Sequence, residues 1–174
     1  MRVRYYLAVS LDGALATRDG GVGWLDEFSS EEAGTAEFMN EIEGLVVGRA
    51  TLDVSLKLGP WYFGERPTVV LTHRPLPPEA PAVCEALAGT PAEALAALEA
   101  RGVRGDVWLL GGGQVAAAFL EAGLLDTVEV AIAPVLLGGG IPMVGSLPAW
   151  QGLELASCRT LPNGMILASY RVRR

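Results

Sequence analysis

The chain is poor in the side chains that build metal sites and basic surfaces. It has one histidine, His73, one lysine, Lys57, and two cysteines, Cys84 and Cys158, in 174 residues. These residues show neither metal-ligand spacing nor a CxxC pattern, so zinc chemistry is excluded and no metal site is expected. The two cysteines are read as buried thiols of a protein in a reducing cytoplasm. No apolar run reaches the roughly 18 residues that a membrane span needs. Thirteen Lys and Arg stand against 20 Asp and Glu, giving a net charge of -7. That balance argues against nucleic acid as a partner, because binding a phosphate backbone requires a basic face. A single local cation for a single phosphate group is still compatible with it.

What is plentiful is apolar and small. Hydrophobic residues make up 51% of the chain, and there are 22 glycines. This composition and length fit one globular domain over residues 1–174. The apolar stretch after Met1-Arg2-Val3-Arg4 ends at Ser10-Leu11-Asp12-Gly13. It is too short for a secretory leader and is read as a first core strand.

Strands are expected at Val3 to Val9, Leu45 to Val47, Thr68 to Thr72, Val83 to Ala86, Asp106 to Leu110 and Thr127 to Ala133. Two more, near Glu154 to Arg159 and Met165 to Val172, are joined by a Pro162-Asn163-Gly164 turn. Helices are expected from a Ser29 or Ser30 cap to about Glu41, with Glu31 and Glu32 in the first turn. Others follow at Gly48 to about Leu56, at Thr90-Pro91 to Ala100, and at Gly113 to about Glu121. Ala14 to Phe28 reads as an irregular surface loop and Pro134 to Pro142 as a second glycine-rich crossing. Strands alternating with helices predict a parallel sheet, and the final hairpin makes it mixed.

The most informative stretch is Val107 to Leu110 followed by Gly111-Gly112-Gly113-Gln114 and an alanine-rich helix. A buried strand breaking through glycines into a helix leaves unpaired N–H groups and a positive dipole end facing outward, a ready phosphate site. Gly48-Arg49-Ala50-Thr51 has the same character. Two such helix starts facing one crevice can grip a diphosphate, as open α/β sheets do at strand carboxyl ends. Each alone has a plain structural alternative, since strand-to-helix turns favour glycine. Arg49 is suited to phosphate or to a neighbouring carbonyl, and Thr51 to phosphate or to its own helix turn. Thr72-His73-Arg74 ends a strand, where a guanidinium can take an extra phosphate through paired hydrogen bonds.

Asp12 makes an Asx turn or places a carboxylate at the crevice mouth, where it can hold a substrate amine or pass a proton. Trp24 and Trp61 lie in loops and can pack on a flat heterocycle or cap the core. Leu137-Gly138-Gly139-Gly140-Ile141-Pro142 has no helix after it. Its Gly139 and Gly140 suggest close approach of backbone to a substrate or to a neighbouring subunit.

In this order and over nearly the full length, these motifs resemble the dihydrofolate reductase-like superfamily. The likeness is greatest to the branch containing the C-terminal reductase domain of the bifunctional riboflavin-biosynthesis deaminase/reductase and its stand-alone relatives. The resemblance implies a three-layer α/β fold, with a mixed, mostly parallel eight-stranded sheet, helices on both faces and a C-terminal antiparallel hairpin. It also implies NADPH as hydride donor, a small heterocyclic substrate and a homodimer.

Carried over residue by residue, Gly48, Arg49 and Thr51 would lie at the cofactor phosphates, and Thr72 and Arg74 near the adenosine 2′-phosphate. Gly111, Gly112, Gly113, Gln114 and Val115 would line the diphosphate and nicotinamide ribose, with Gly111-Gly112 the strained peptide typical of the fold. Asp12, Trp24, Gly139 and Gly140 would face the substrate. The helix offering Glu31, Glu32 and Glu37 has no motif matching the pteridine-holding acid of true dihydrofolate reductases. Basic residues for a ribose-phosphate substrate are few. The competing readings are a nucleotide- or drug-binding module without turnover and a dimeric scaffold without a cofactor.

Overall fold

The computed structural model describes residues 1–28 and 34–174. The first strand, β1 (Val3–Ser10), shows how the sheet is built. Val3, Tyr5, Leu7 and Val9 project to one face, and Tyr6 and Ala8 to the other. Both faces are covered, which is why the strand is apolar almost throughout instead of alternating.

Among the described residues the chain continues through β2 (Ala14–Ala16), α1 (Thr35–Glu41), β3 (Ile42–Gly48), α2 (Arg49–Leu58), β4 (Thr68–Leu71) and β5 (Cys84–Leu87). It then forms α3 (Pro91–Ala100), β6 (Asp106–Gly111), α4 (Gly113–Glu121), β7 (Thr127–Ala133), β8 (Ile141–Pro142), β9 (Leu153–Thr160) and β10 (Ile166–Val172). The main sheet has eight strands in the order β5-β4-β3-β6-β1-β7-β10-β9. β5 to β7 pair in parallel, while β10 runs antiparallel to both β7 and β9. The expected mixed sheet and terminal hairpin are both present.

Helices cover both faces. Leu98 of α3 and Phe119 of α4 are fully buried with Val46, Val69 and Leu109 on one side. Burying a side chain of this size stabilises the fold by about 1.5–3 kcal/mol. Phe38 of α1 packs with Leu45 on the other side, and Leu52 of α2 packs there with Val47 and Val70. Local signals set several boundaries. Thr90 and Glu93 form a reciprocal capping box ahead of Pro91, worth about 1 kcal/mol. Arg66 donates to the carbonyls of Met39 and Ile42 at 2.7 and 2.9 Å, closing the end of α1.

Arg4 is buried on β1 and donates to Glu129 at 2.7 Å through both Nε and Nη2. It also pairs with Asp106 and Glu41, and its guanidinium lies 4.6 Å from the Phe38 ring centre. Burial opposes its charge, yet the bonds to Glu129 and Glu41 raise its pKa above the ordinary arginine value.

Three sequence expectations need revision. The first helix begins at Thr35, because Gly34 adopts a left-handed conformation (φ 77°) ahead of it. The expected caps Ser29 and Ser30 and the acids Glu31 and Glu32 lie outside the described residues. The Ala14 to Phe28 loop contains β2, which pairs with β8 as a small second sheet. Pairing needs β2 and β8 side by side, and the sequence between them hides that contact. Cys84 is only half-buried, and Cys158 is exposed on edge strand β9. Among the described residues no helix is long and apolar enough to cross a membrane.

Candidate functional site

The carboxyl ends of β3 and β6 are neighbours in the sheet, with Val47 opposite Gly111. Each strand runs straight into a helix, so α2 and α4 begin side by side. A Cβ placed on Gly48 would lie 3.0 Å from Val115 Cγ2 and 3.5 Å from both Gly111 O and Gly112 N. A Cβ on Gly112 would lie 3.3 Å from Thr51 Oγ1. The two helix starts therefore converge, and glycine is what lets their backbones come this close. The Gly111–Gly112 peptide bond is cis, at the position expected for the unusual peptide.

Between these starts lies a cleft of about 470 Å³. Gly48, Arg49, Ala50 and Thr51 line one side, and Gly112, Gly113, Gln114 and Val115 the other. The first backbone N–H groups of a helix have no partner within it, so both rims offer donors and the positive ends of two dipoles. Val22, Val54, Leu71, Ile141 and Pro142 add an apolar surround. Donors at one end and apolar walls elsewhere suit an anionic group attached to flat rings.

The remaining expected residues stand differently. Arg49 lines the cleft while its Nε donates to Asp53 at 2.7 Å, and it also reaches Pro75 O. Thr72 and Arg74 follow Leu71 just outside the cleft. Thr72 Oγ1 accepts from Arg74 N at 3.0 Å, and the exposed Arg74 guanidinium is 3.8 Å from Asp53. Arg49 and Arg74 thus share one carboxylate at the end of β4. Gly111 underlies the cleft without lining it.

The Asp12 carboxylate, expected at the crevice mouth, is engaged in hydrogen bonds. Its carboxylate accepts from Ser10 Oγ at 2.7 Å and from the amides of Leu137, Gly138 and Gly139 at 3.1, 2.9 and 3.3 Å. The Ser10 hydroxyl and the amides of Leu137 and Gly139 pull its pKa down to about 2. An acid held that low stays ionised at neutral pH, and its oxygens are already engaged. It is a clamp on the second glycine loop.

Gly139 and Gly140 likewise serve the fold. A Cβ on Gly140 would lie 2.1 Å from Ala16 O, and the Gly139 backbone lies against Arg18. The close approach expected there is to β2, and it places Ile141 and Pro142 on the cleft wall. Trp24 packs away from the cleft, over Ala131, Ala133 and Met165. Glu37 is exposed, so α1 presents no buried acid among its described residues.

Sequence reasoning passed over three contributors. Tyr5 is buried under the site and donates to Met143 O at 2.5 Å, steadying the segment after β8. Leu110 joins the cleft to the opposite face of the sheet. Arg159 of β9 reaches back to the start of α1, within 3.5 Å of where a Gly34 Cβ would be. Nothing in the local sequence around these residues marks them, since each acts across the sheet.

A family model described as the RibD C-terminal domain matches residues 2–167. The chain belongs to this family. It is 30% identical over 152 residues to the uncharacterized protein YwjB of Bacillus subtilis, covering 86% of each. It is also 30% identical over 155 residues to the riboflavin biosynthesis protein RibD of Mycobacterium tuberculosis, covering 82% of this chain but 44% of that protein. A crystal structure from Shewanella sp. PV-4, of a protein with a provisional riboflavin biosynthesis name, superposes over 100% of both chains with a TM-score of 0.89 and 27% identity. Dihydrofolate reductase from Enterococcus faecalis, complexed with NADP(H), matches 99% of this chain and 97% of its own, with a TM-score of 0.65 and 16% identity. The fold is dihydrofolate reductase-like.

Proposed function

We propose that this RibD C-terminal domain protein is an NADPH-dependent reductase acting on a small nitrogen heterocycle of pyrimidine or pterin type. The observation that carries this reading is the convergence of the α2 and α4 starts on one cleft. Glycines at 48 and 112 leave room there for a diphosphate where a Cβ would intrude. Thr51, with the amides of residues 49–51 and 112–115, would hold the diphosphate. Arg49 and Arg74, already grouped around Asp53, would face the adenosine 2′-phosphate. Two relatives support the chemistry by name: the riboflavin biosynthesis protein RibD and a dihydrofolate reductase complexed with NADP(H).

When bound, NADPH supplies a hydride to the carbon of a C=N or C=O bond, and the nitrogen or oxygen takes a proton from solvent. The chain's part is to orient the two partners and exclude water. With Asp12 committed to the 137–139 loop, water is the proton source in this reading.

The partner of the chain is a second copy of itself. All eight residues of edge strand β9 are exposed, Leu153 and Leu155 among them, and Trp150 beside it is 90% exposed. A long unpaired edge that exposes leucines is a surface that natural sheets cover.

The test is direct. NADPH should raise the melting temperature of the wild type, and Gly112→Val should weaken NADPH binding at least tenfold. No melting shift at saturating NADPH would sink the proposal. Tight NADPH binding without oxidation by any pterin or pyrimidine would favour a binding module instead.

A further inference from the structure

Among the described residues that line the cleft, Arg49 carries the one charged side chain. It opens α2 at the β4 end, where Gly48 pairs with Leu71. One helical turn further along is Asp53, whose carboxylate is divided between two cations. Oδ1 accepts from Arg49 Nε at 2.7 Å, and Oδ2 lies 3.8 Å from Arg74 Nη2. The first contact is a hydrogen bond, and the second is an ion pair beyond bonding distance. Arg49 Nη1 is engaged as well, on the carbonyl of Pro75. Asp53 is the only acid on α2, and none lies in residues 71–78.

Two arginines meant only for a phosphate would not share a carboxylate. A phosphate monoester brings a charge of about −1.5 to −2 at pH 7 and is held best through paired bonds from one guanidinium. Taking Arg49 in that way means displacing Asp53 from Nε or Pro75 from Nη1. Even then the carboxylate stays on the neighbouring helical turn, where its charge opposes that of the phosphate. A hydroxyl at the same place meets the opposite situation. A carboxylate only accepts hydrogen bonds, so it suits an O–H and repels a phosphate. An acid beside the adenosine ribose is how nucleotide-binding sheets hold the 2′-OH of NAD.

We infer that Asp53 sets the choice between NADPH and NADH, and that it keeps the preference for NADPH small. The inference rests on the reductase reading and deepens it by extending the hydride donor to NADH. Arg49 and Arg74 attract the 2′-phosphate of one cofactor. Asp53 offsets part of that attraction and accepts from the 2′-OH of the other. Its side chain is 33% exposed, so water screens the repulsion and limits the effect to about tenfold.

Calorimetric titration of the intact protein with NADPH and with NADH tests this. Wild type should bind both, with dissociation constants within about tenfold of each other. Asp53→Asn keeps the size of the side chain and removes its charge. It should tighten NADPH about tenfold and leave NADH unchanged or weaker. Asp53→Glu restores the charge and should keep the ratio within about twofold of wild type. Arg74→Gln should weaken NADPH about fivefold and NADH by less than about twofold. Cofactor-free melting temperatures of the variants should stay within about 2 °C of wild type, because an exposed pair contributes little to stability. The inference is overturned if wild type binds NADPH but not NADH, or if Arg74→Gln weakens both cofactors alike. It is overturned too if Asp53→Asn leaves the preference for NADPH unchanged or lowers it, as a purely positioning role would. Failure of the wild type to bind either cofactor would instead overturn the reductase reading, and this one with it.

Discussion

Thr51 Oγ1 stands 3.3 Å from the point that a Cβ on Gly112 would occupy, so a hydroxyl from α2 faces the backbone that opens α4. Two elements separated by three strands and a helix in the chain are thereby brought side by side. Thr51 makes no described hydrogen bond through this hydroxyl. Thr51→Val keeps the shape and removes the donor, and should weaken NADPH about fivefold with little change in melting temperature. Isothermal titration alongside a thermal melt checks both. An unchanged affinity would remove the hydroxyl from the site.

Gly113 is the tightest point between α4 and the segment after β8. A Cβ there would lie 2.5 Å from Pro142 O and 3.2 Å from Gly145 N, both backbone atoms that cannot swing away. Gly145 N also donates to Gly113 O at 2.8 Å. Gly113→Ala should therefore destabilise the protein by about 1–3 kcal/mol, as overpacking does, despite the better helix propensity of alanine. Urea unfolding measures this. A stabilised variant would show that the segment yields easily.

The Asp12 clamp is pH-dependent in a specific window. Its folded pKa of about 2 lies below the ordinary value of 3.8, so its bonds to the 137–139 amides are complete above that ordinary value. They are lost as the pH falls toward 2. In an NMR titration the amide signals of Leu137 and Gly139 should move with a midpoint near 2. Asp12→Asn should abolish that titration. A midpoint near 3.8 would mean the clamp is not formed in solution.

The two thiols should react at very different rates. Cys158 is exposed on β9, whereas burial pushes the Cys84 thiol up to about 11, with nearby Arg101 offsetting a little. The thiolate is the reactive form, so iodoacetamide near pH 8 should label Cys158 first and Cys84 slowly. Peptide mass spectrometry reads the order. If a second copy covers β9, Cys158 labelling should also slow as protein concentration rises.

Much of the architecture is legible along the chain because its causes are local. The α4 start at Gly113 follows from a buried run broken by glycine, the α3 start from Thr90-Pro91 with Glu93, and the β9–β10 hairpin from Pro162-Asn163-Gly164. The roles of Gly48 and Gly112 could be anticipated for the same reason: a strand entering a helix through glycine exposes amides wherever it occurs. Asp12, Gly140 and Trp24 could not be placed this way. Each is defined by a partner about 107 to 127 residues distant, respectively Gly139, Ala16 and Ala131 among them, and local pattern is silent on who those partners are.

The sequence by itself thus determined the order of the helices and of the eight main-sheet strands, the absence of metal-binding spacing and the two glycine-led helix starts. Periodicity, capping and backbone freedom act within a few residues and leave a direct mark. Only the tertiary structure decided that those starts meet, that the Asp12 carboxylate accepts from the amides of residues 137–139, and that β2 pairs with β8. Those outcomes depend on which strands become neighbours in the sheet. That choice is made by burial over the whole chain, which sets Ala8 beside Ala131 although the two lie far apart in sequence.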